Sequence, residues 1–542
     1  MNITGVLNYN VTERYISYLT YFTILIFCII PIFITFPYRP NIYVTWEGAY
    51  RLYLGQVPFK DFGLPLGMGF WLIPALFFKL FGPFFSSLVK AQVLINLISC
   101  FSLVGIFKLL KLKNSIIFLS ILLFCISFVM INFWPWYNHT VFVFELVSIY
   151  FLLLYILKKG KYRVLFIILA AFFTVLSIFT KQDGGGLGLI INLVLLVYFA
   201  IVEKKPVSIL YFFIAVTAFS LIHILPFLSY DFNYWFNHGQ PPHYSRINSF
   251  DFINSIFAES TWIKFYLIAI LIYLLSSIKD VKALFYNRHE MLLLLLTTGI
   301  LVQALIIRVT SFSPPTANLY FHTFAIAYLL SRVLEKVRIT YWRFVIVTLS
   351  IFLWWSADYW KYTQKVLGKF LTLQPPPKEV VSRGNWAAKD TLAKIESVKW
   401  VNTPMKSLHK ITIPEKTYNG IKRFKELYPI NDANKEAKVL NMSELTFLAY
   451  EAGFIPLHGP GQPLWYHKGV NFFDREVAFF CRAIENQEFD IILFQDWPDI
   501  DNYFPYEVRE CLQSNYVKVD EFPDIKGFPN SKVEVYVKLL SE

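Results

Sequence analysis

No CxxC pair, HExxH motif or GxxxxGK[ST] loop occurs in the sequence, so nothing in it marks a zinc centre or a nucleotide-phosphate cradle. Gly184-Gly185-Gly186 is no substitute, because no β-strand pattern precedes it. Charge is scarce: Asp, Glu, Lys and Arg make up 16% of the 542 residues, against about 25% in an ordinary soluble domain. Cysteine is scarcer still, with five in all. Cys28, Cys100 and Cys125 fall in apolar runs and read as packing residues. Cys481 and Cys511 share the polar C-terminal part, where a disulfide is chemically permitted but spacing alone does not establish one. No internal repeat or low-complexity segment stands out. What is abundant is apolar surface. Hydrophobic residues account for 56% of the chain and aromatics for 19%, with a mean hydropathy of +0.48, far more than one soluble core can bury.

About eleven apolar runs are long enough to cross some 30 Å of hydrocarbon. They fall near residues 16–36, 88–108, 115–132, 141–157, 163–180, 187–202, 207–228, 262–278, 291–308, 317–334 and 342–357. The first is not a cleavable signal peptide, since no small-residue cleavage site follows and Pro37 and Pro40 lead into a polar loop. Lys108/Lys111/Lys113, Lys158/Lys159/Lys161/Arg163, Lys204/Lys205, Lys279/Lys282/Arg288 and Arg332/Lys336/Arg338/Arg343 occupy alternate loops. The positive-inside rule makes those loops and the amino terminus cytoplasmic. The loop at 37–87, Trp134–Thr140, Lys181–Gly186, Ser229–Thr261, Arg308–His322 and the C-terminal region are then extracytoplasmic. The net charge of +13 is mostly this inside-face effect and does not argue for nucleic acid.

Composition changes near Asp358, and Pro375-Pro376-Pro377 closes the membrane part. Two regions follow: a transmembrane domain over 1–357 and an extracytoplasmic α/β domain over 358–542. In the latter, 438–441 and 489–495 read as strands, 443–453 and 475–486 as helices, and 516–521 with 532–538 as a terminal strand pair. The fold class is a polytopic α-helical membrane protein carrying a C-terminal extracytoplasmic α/β domain.

Polar residues at the outer membrane boundary are the candidates for chemistry. Glu47, in Trp46-Glu47-Gly48-Ala49-Tyr50, lies on the loop after the first span and is followed by Lys60 and Asp61. A carboxylate at a lipid–water boundary is costly to keep ionised, so it reads either as a hydrated loop acid or as a functional one. Lys181 and Asp183 end the fifth span and can pair with each other, while the following glycines can bring backbone close to a ligand. Asn138 and His139 sit beside Trp134, Trp136 and Tyr137; an aromatic belt explains the rings but not Asn-His. Arg308 ends the ninth span, where snorkelling to headgroups is the alternative, and His322 begins the tenth. Glu145 and His223, inside spans, read as interhelical hydrogen-bonding groups. The set suits a lipid-bound phosphate bearing a sugar: cations hold the diester, aromatics stack on the sugar, and an acid activates an acceptor.

The block Trp46-Glu47-Gly48-Ala49-Tyr50, Leu54-Gly55-Gln56-Val57-Pro58-Phe59-Lys60-Asp61-Phe62, Pro65-Leu66-Gly67 and Phe77-Phe78-Lys79-Leu80-Phe81-Gly82 resembles the first outer loop of polytopic GT-C glycosyltransferases. It is most similar to the bacterial relatives of protein O-mannosyltransferases and lipid A aminoarabinose transferases. The resemblance implies a hexosyl or pentosyl transferase that uses a polyprenyl-phosphate sugar and inverts at the anomeric carbon. It places the catalytic acid at Glu47, where Asp is commoner. Asp61, close behind in the same loop, is the second catalytic candidate, positioning Glu47 or the acceptor, with a helix-capping role as the alternative. Family members often carry Lys before the juxtamembrane Pro; here the segment reads Gly63-Leu64-Pro65, so Lys60, Lys181 and Arg308 are the candidates for the donor phosphate. Asn138, His139, Asp183, Trp136 and His322 are the candidate substrate contacts. The resemblance leaves a divalent metal open, although Glu47 and Asp61 alone are too few ligands to define one. The implied partners are a polyprenyl-phosphate sugar donor, membrane lipid and an acceptor that is lipid, glycan or protein. The rival readings are a transporter or flippase and a non-catalytic assembly partner for lipid-linked glycans; the former should place paired charges at mid-membrane, whereas here they cluster at the outer surface.

Overall fold

The computed structural model describes residues 13–39, 42–130, 132–237, 260–277, 281–311, 320–333, 341–354, 398–427, 437–464, 466, 470–498 and 505–538. The proline triplet and the expected 357/358 boundary lie outside these residues, as does most of the two extracytoplasmic loops expected after 229 and 308. A helix stands on every apolar run read from the sequence: α1 (Glu13–Phe33), then, after α2 (Ile42–Tyr53) and α3 (Leu72–Phe81) in the first loop, α4 (Phe85–Leu109), α5 (Asn114–Phe124), α6 (Tyr137–Leu157), α7 (Arg163–Ile178), α8 (Gln182–Glu203), α9 (Val207–Ile224), α10 (Thr261–Ser277), α11 (Val281–Tyr286) with α12 (Arg288–Ser311), α13 (Tyr320–Val333) and α14 (Tyr341–Trp354). Among the described residues six of these, α1, α4, α6, α8, α9 and α12, are long and apolar enough to cross a membrane.

The bundle is built around α6, which is buried along most of its length against α4, α7 and α8. Leucine gains nothing by leaving lipid for another helix, so small polar groups supply much of the specificity. Asn192 Nδ2 donates to Ser148 Oγ (2.9 Å) and Thr174 Oγ1 (3.0 Å), tying α6, α7 and α8 together. Apolar side chains are exposed along α9 and α10, among them Leu210, Ile214, Leu221, Leu271 and Leu275. A surface of that kind belongs in hydrocarbon, and the chain is an integral membrane protein.

The C-terminal residues form a four-stranded sheet in the order β4 (Val439–Met442), β5 (Ile491–Asp496), β7 (Lys532–Lys538), β6 (Tyr516–Pro523). β4 and β5 are parallel and the other pairs antiparallel, so the terminal strand pair expected from alternation is present. α17 (Phe473–Glu485) and α18 (Tyr506–Asn515) pack together and are bridged by a Cys481–Cys511 disulfide, with α15 (Glu415–Leu427) and the short α16 (Leu448–Ala452) completing the helices.

A second sheet was not expected. β1 (Phe36–Pro37), at the start of the first loop, pairs in parallel with β3 (Ile411–Pro414), which pairs in turn with β2 (Trp400–Asn402). Phe36, Trp46, Phe62 and Phe85 share one buried cluster with Phe424, Leu448 and Val535. The first loop and the C-terminal domain therefore fold as one body.

Candidate functional site

Glu47 stands on a helix, not a loop. α2 is buried on almost every face because the first loop wraps it in aromatic rings. Trp71 lies flat over Gly48, where a Cβ would come within 2.0 Å of the indole, and its Nε1 donates to the Val44 carbonyl at 3.1 Å. On the other flank Trp46 Nε1 donates to Pro83 O (3.1 Å) and Thr45 Oγ1 to Pro135 O (2.5 Å). These contacts fix the rotation of α2 and turn Glu47 toward the C-terminal domain.

One turn along, Arg51 donates to Glu47 Oε1 from Nε at 3.0 Å and from Nη2 at 2.8 Å. Both residues are buried, Glu47 at 8% exposure and Arg51 at 4%. Arg51 Nη1 goes elsewhere, to Gln56 Oε1 (3.0 Å) and the Leu457 carbonyl (2.7 Å), and the guanidinium lies 5.3 Å from the Phe62 ring centre. Both bonds to Glu47 fall on Oε1, which leaves Oε2 without a hydrogen-bond donor among the described residues. The pair lines a small pocket whose far wall is the C-terminal domain, with Thr446, Gln462, Leu457 and Tyr466. Burial pushes the Glu47 carboxyl above its ordinary range, and Arg51 pulls it partly back.

The other candidates fall into three groups. Trp136, Asn138, His139, Lys181 and Asp183 lie where the start of α6 meets the turn between α7 and α8. His139 stands edge-on to Trp136 at 5.1 Å, Lys181 Nζ sits 5.8 Å from the Tyr137 ring centre, and Lys181 and Asp183 pair at 3.4 Å, as one reading of the sequence had it. Burial pushes the Lys181 ammonium down and Asp183 partly restores it. Three buried atoms here have no hydrogen-bond partner among the described residues: Asn138 Oδ1, His139 Nδ1 and Trp136 Nε1. This group adjoins α2 through Phe70, which meets Tyr137 at 5.7 Å and Trp71 at 4.7 Å.

Lys60 and Asp61 form the second group. Asp61 Oδ2 accepts from Val57 N at 2.7 Å, which caps the turn at 57–61, and His458 lies 4.0 Å from Oδ1. Lys60 is exposed, 5.7 Å from the Tyr230 ring centre. His322 belongs to the third group: it is buried between α13 and α10, with Nδ1 2.8 Å from Tyr266 OH. Arg308 is part of α12, but its side chain lies outside the described residues. Among those residues no three acid, histidine or cysteine side chains converge, and Glu47 faces a guanidinium, an arrangement unsuited to a divalent ion.

Two sequence expectations need correcting. Gly184 and Gly185 are helical residues of α8: a Cβ on Gly185 would fall 2.3 Å from Ile178 N and one on Gly184 2.9 Å from Val141, so they permit close helix packing and do not cradle a ligand. His223 bonds within its own helix, to Phe219 O at 2.8 Å. Glu145 does bond between helices: its Oε2 accepts from Gln303 Nε2 at 2.6 Å. Arg51 is the residue that sequence reasoning missed. The signal was present, a basic residue four positions after the acid in Trp46-Glu47-Gly48-Ala49-Tyr50-Arg51, but it is legible only once that segment is taken as helix.

No family model and no curated relative matches the chain. Solved structures do. ArnT from Cupriavidus metallidurans in the apo state is 11% identical and aligns over 96% of this chain and 97% of its own, with a TM-score of 0.51. The same protein bound to undecaprenyl phosphate is 10% identical and aligns over 97% and 98%, with a TM-score of 0.52. The arabinofuranosyltransferase AftD from Mycobacteria is also similar, 12% identical over 98% of this chain and 42% of its own, with a TM-score of 0.45. With the ArnT likeness running nearly end to end over both the helical bundle and the domain that caps it, this chain has the GT-C glycosyltransferase fold.

Proposed function

We propose that this protein is an inverting membrane glycosyltransferase that moves a sugar from a polyprenyl-phosphate donor to an extracytoplasmic acceptor, with Glu47 as its acid/base. The observation that carries this reading is the Glu47–Arg51 pair, in which one carboxylate oxygen is fixed by two hydrogen bonds and the other is left for a substrate at a pocket. A carboxyl made more basic by burial, and held in place by a fixed cation, suits proton abstraction from an acceptor. The acceptor oxygen attacks the anomeric carbon from the face opposite the phosphate. The bond from that carbon to the phosphate oxygen breaks, its electron pair leaves with the polyprenyl phosphate, and the acceptor proton passes to Glu47.

Lys181 and Arg308 are the proposed grips on the donor phosphate, with Lys60 at the rim. The unpartnered atoms of Trp136, Asn138 and His139, close to Lys181, are suited to sugar hydroxyls. Asp61 shapes the loop; His322 and Asp183 support their helices. A solved neighbour of this fold binds undecaprenyl phosphate, which favours a donor of that chemistry. The Cys481–Cys511 disulfide favours placing the C-terminal domain on the oxidising, extracytoplasmic side, with the amino terminus inside.

The test is transfer from polyprenyl-phosphate sugars by membranes carrying Glu47→Gln. Turnover should fall by about 100-fold or more, the usual size of an acid/base contribution, and wild-type turnover in that variant would reject the assignment.

A further inference from the structure

The pocket beside Glu47 has a second wall whose chemistry the transfer step above does not use. That wall comes from the C-terminal domain, and it is locked in register with the first loop by main-chain bonds. Gly63 N donates to Gln462 O at 2.8 Å, Leu464 N to Gly63 O at 2.8 Å, and Gly459 N to Asp61 O at 2.9 Å. The Arg51 bond to Leu457 O adds a side-chain tie across the same seam.

Thr446 lines this wall, 7% exposed, and its Oγ1 is buried with no hydrogen-bond partner among the described residues. Native interiors rarely leave a hydroxyl in that state unless something else completes it. Nor is its position loose. Asn441 Nδ2 donates to Leu445 O at 3.0 Å and Asn441 Oδ1 accepts from Ser443 N at 3.1 Å, which holds the chain just before Thr446 in a fixed turn.

The electrostatics of the pocket limit what can complete it. Its one acid and one base neutralise each other, and the remaining lining is neutral: Asn441, Thr446, Gln462, Tyr466 and apolar neighbours. A second charge would enter without a partner, at a large desolvation cost. The pocket is also small, so it admits the edge of a molecule and not a whole chain. An uncharged hydroxyl group fits every one of these conditions.

We infer that Thr446, across the pocket from Glu47, binds an uncharged, hydroxylated acceptor such as a glycan or polyol, so that the C-terminal domain supplies the acceptor half of the site. This rests on the transferase reading above. Thr446 takes no proton in the reaction. It holds the acceptor by a hydroxyl while the attacking oxygen gives its proton to Glu47.

The test uses the full-length chain in a strain lacking its own copy, complemented with wild type, Thr446→Val, Thr446→Ser or Glu47→Gln. Mass analysis of surface glycans reads the product, and binding of undecaprenyl phosphate to the purified chain reads the donor side. Thr446→Val should lower product by about tenfold or more, the scale set by a lost polar contact in a site built for it. It should leave undecaprenyl phosphate affinity within about twofold, and Thr446→Ser should restore product. Wild-type product in Thr446→Val, with Glu47→Gln inactive, overturns the inference and leaves the transferase reading standing. Wild-type product in Glu47→Gln removes both. Equal loss of product and of undecaprenyl phosphate binding in Thr446→Val, or no rescue by serine, makes Thr446 a structural residue and overturns the inference as well.

Discussion

Arg51 holds Glu47 by a single oxygen: Nε and Nη2 both donate to Oε1, from one helical turn away, and each residue is almost fully buried. The geometry is that of a positioned carboxylate, since two donors of one guanidinium fix Oε1 and the residue lines the pocket. A buried pair of this kind is expensive to break from one side.

Arg51→Ala is therefore expected to act twice. Removing the cation leaves a buried carboxylate unpaired, which costs about 3–5 kcal/mol and should lower the thermal midpoint in detergent. It also removes the influence that opposes burial at Glu47, so the Glu47 carboxyl rises further. With ionised Glu47 as the base, the ascending limb of the pH–rate profile should move to higher pH. Arg51→Lys keeps the charge but not the fork and should show a smaller shift in the same direction. An unmoved ascending limb in Arg51→Ala would separate Glu47 from the rate-determining proton.

The helical bundle was legible in the sequence because apolar runs of membrane length have few other uses, and every run became a helix. The strands at 439–442, 491–496, 516–523 and 532–538 were legible for a similar local reason, their apolar or alternating pattern. The pairing of Phe36 with Ile411 was not, because it joins residues far apart in the chain through backbone bonds that leave no pattern in the side chains. The same limit hid the site. Glu47 could be singled out by its place beside a membrane span, but its neighbours Thr446 and Gln462 come from a segment whose position depends on long-range docking. Gly184 and Gly185 illustrate a local ambiguity: glycine signals close approach, and here what approaches is another helix.

The junction between the first loop and the α7–α8 turn gives a steric prediction. A Cβ on Gly67 would lie 1.7 Å from the Phe179 carbonyl oxygen, a backbone atom that cannot swing aside, and Gly69 N already donates to that oxygen at 2.8 Å. Gly67→Ala should destabilise by at least about 1–3 kcal/mol, the usual range for overpacking. Gly186 is the control: nothing lies within 4 Å of its Cβ position and it is helical, so Gly186→Ala should be neutral or stabilising by up to roughly 1 kcal/mol. Thermal unfolding of both variants in one detergent decides the matter, and equal midpoints would contradict the placement of the loop.

Inside the bundle, Glu145 Oε2 accepts from Gln303 Nε2 at 2.6 Å, and Gln303 Oε1 accepts from Tyr320 OH at 2.7 Å, so α6, α12 and α13 share one polar chain. Gln303→Leu leaves both ends without a partner and should cost about 1–3 kcal/mol. Adding Glu145→Leu removes one stranded group, so the double variant should be less destabilised than the sum of the two singles. Strict additivity in that cycle would mean the chain of bonds carries no coupling.

Glu476 gives a pH prediction for the docking of the C-terminal domain. It is buried, it accepts a hydrogen bond from Tyr234 of the loop after α9, and burial raises its carboxyl to about 7, against the opposing pull of the Tyr234 hydroxyl and Arg475. Because the folded value lies above the unfolded one, near 4.3, its contribution to stability is complete below the unfolded value and is lost as pH rises through about 7. Asp524, raised to about 6 chiefly by burial, works in the same sense. Glu521, held down by hydrogen bonds from Lys532 and Lys518, works in the opposite sense, but only below the ordinary carboxylate range. Between pH 5.5 and 8.5 the wild-type domain should therefore become easier to unfold or cleave as pH rises. Glu476→Gln still accepts the Tyr234 bond but no longer titrates, so its pH dependence over that window should be shallower. Limited proteolysis across the window reads this directly, and identical slopes for the two proteins would show that Glu476 does not control the docking.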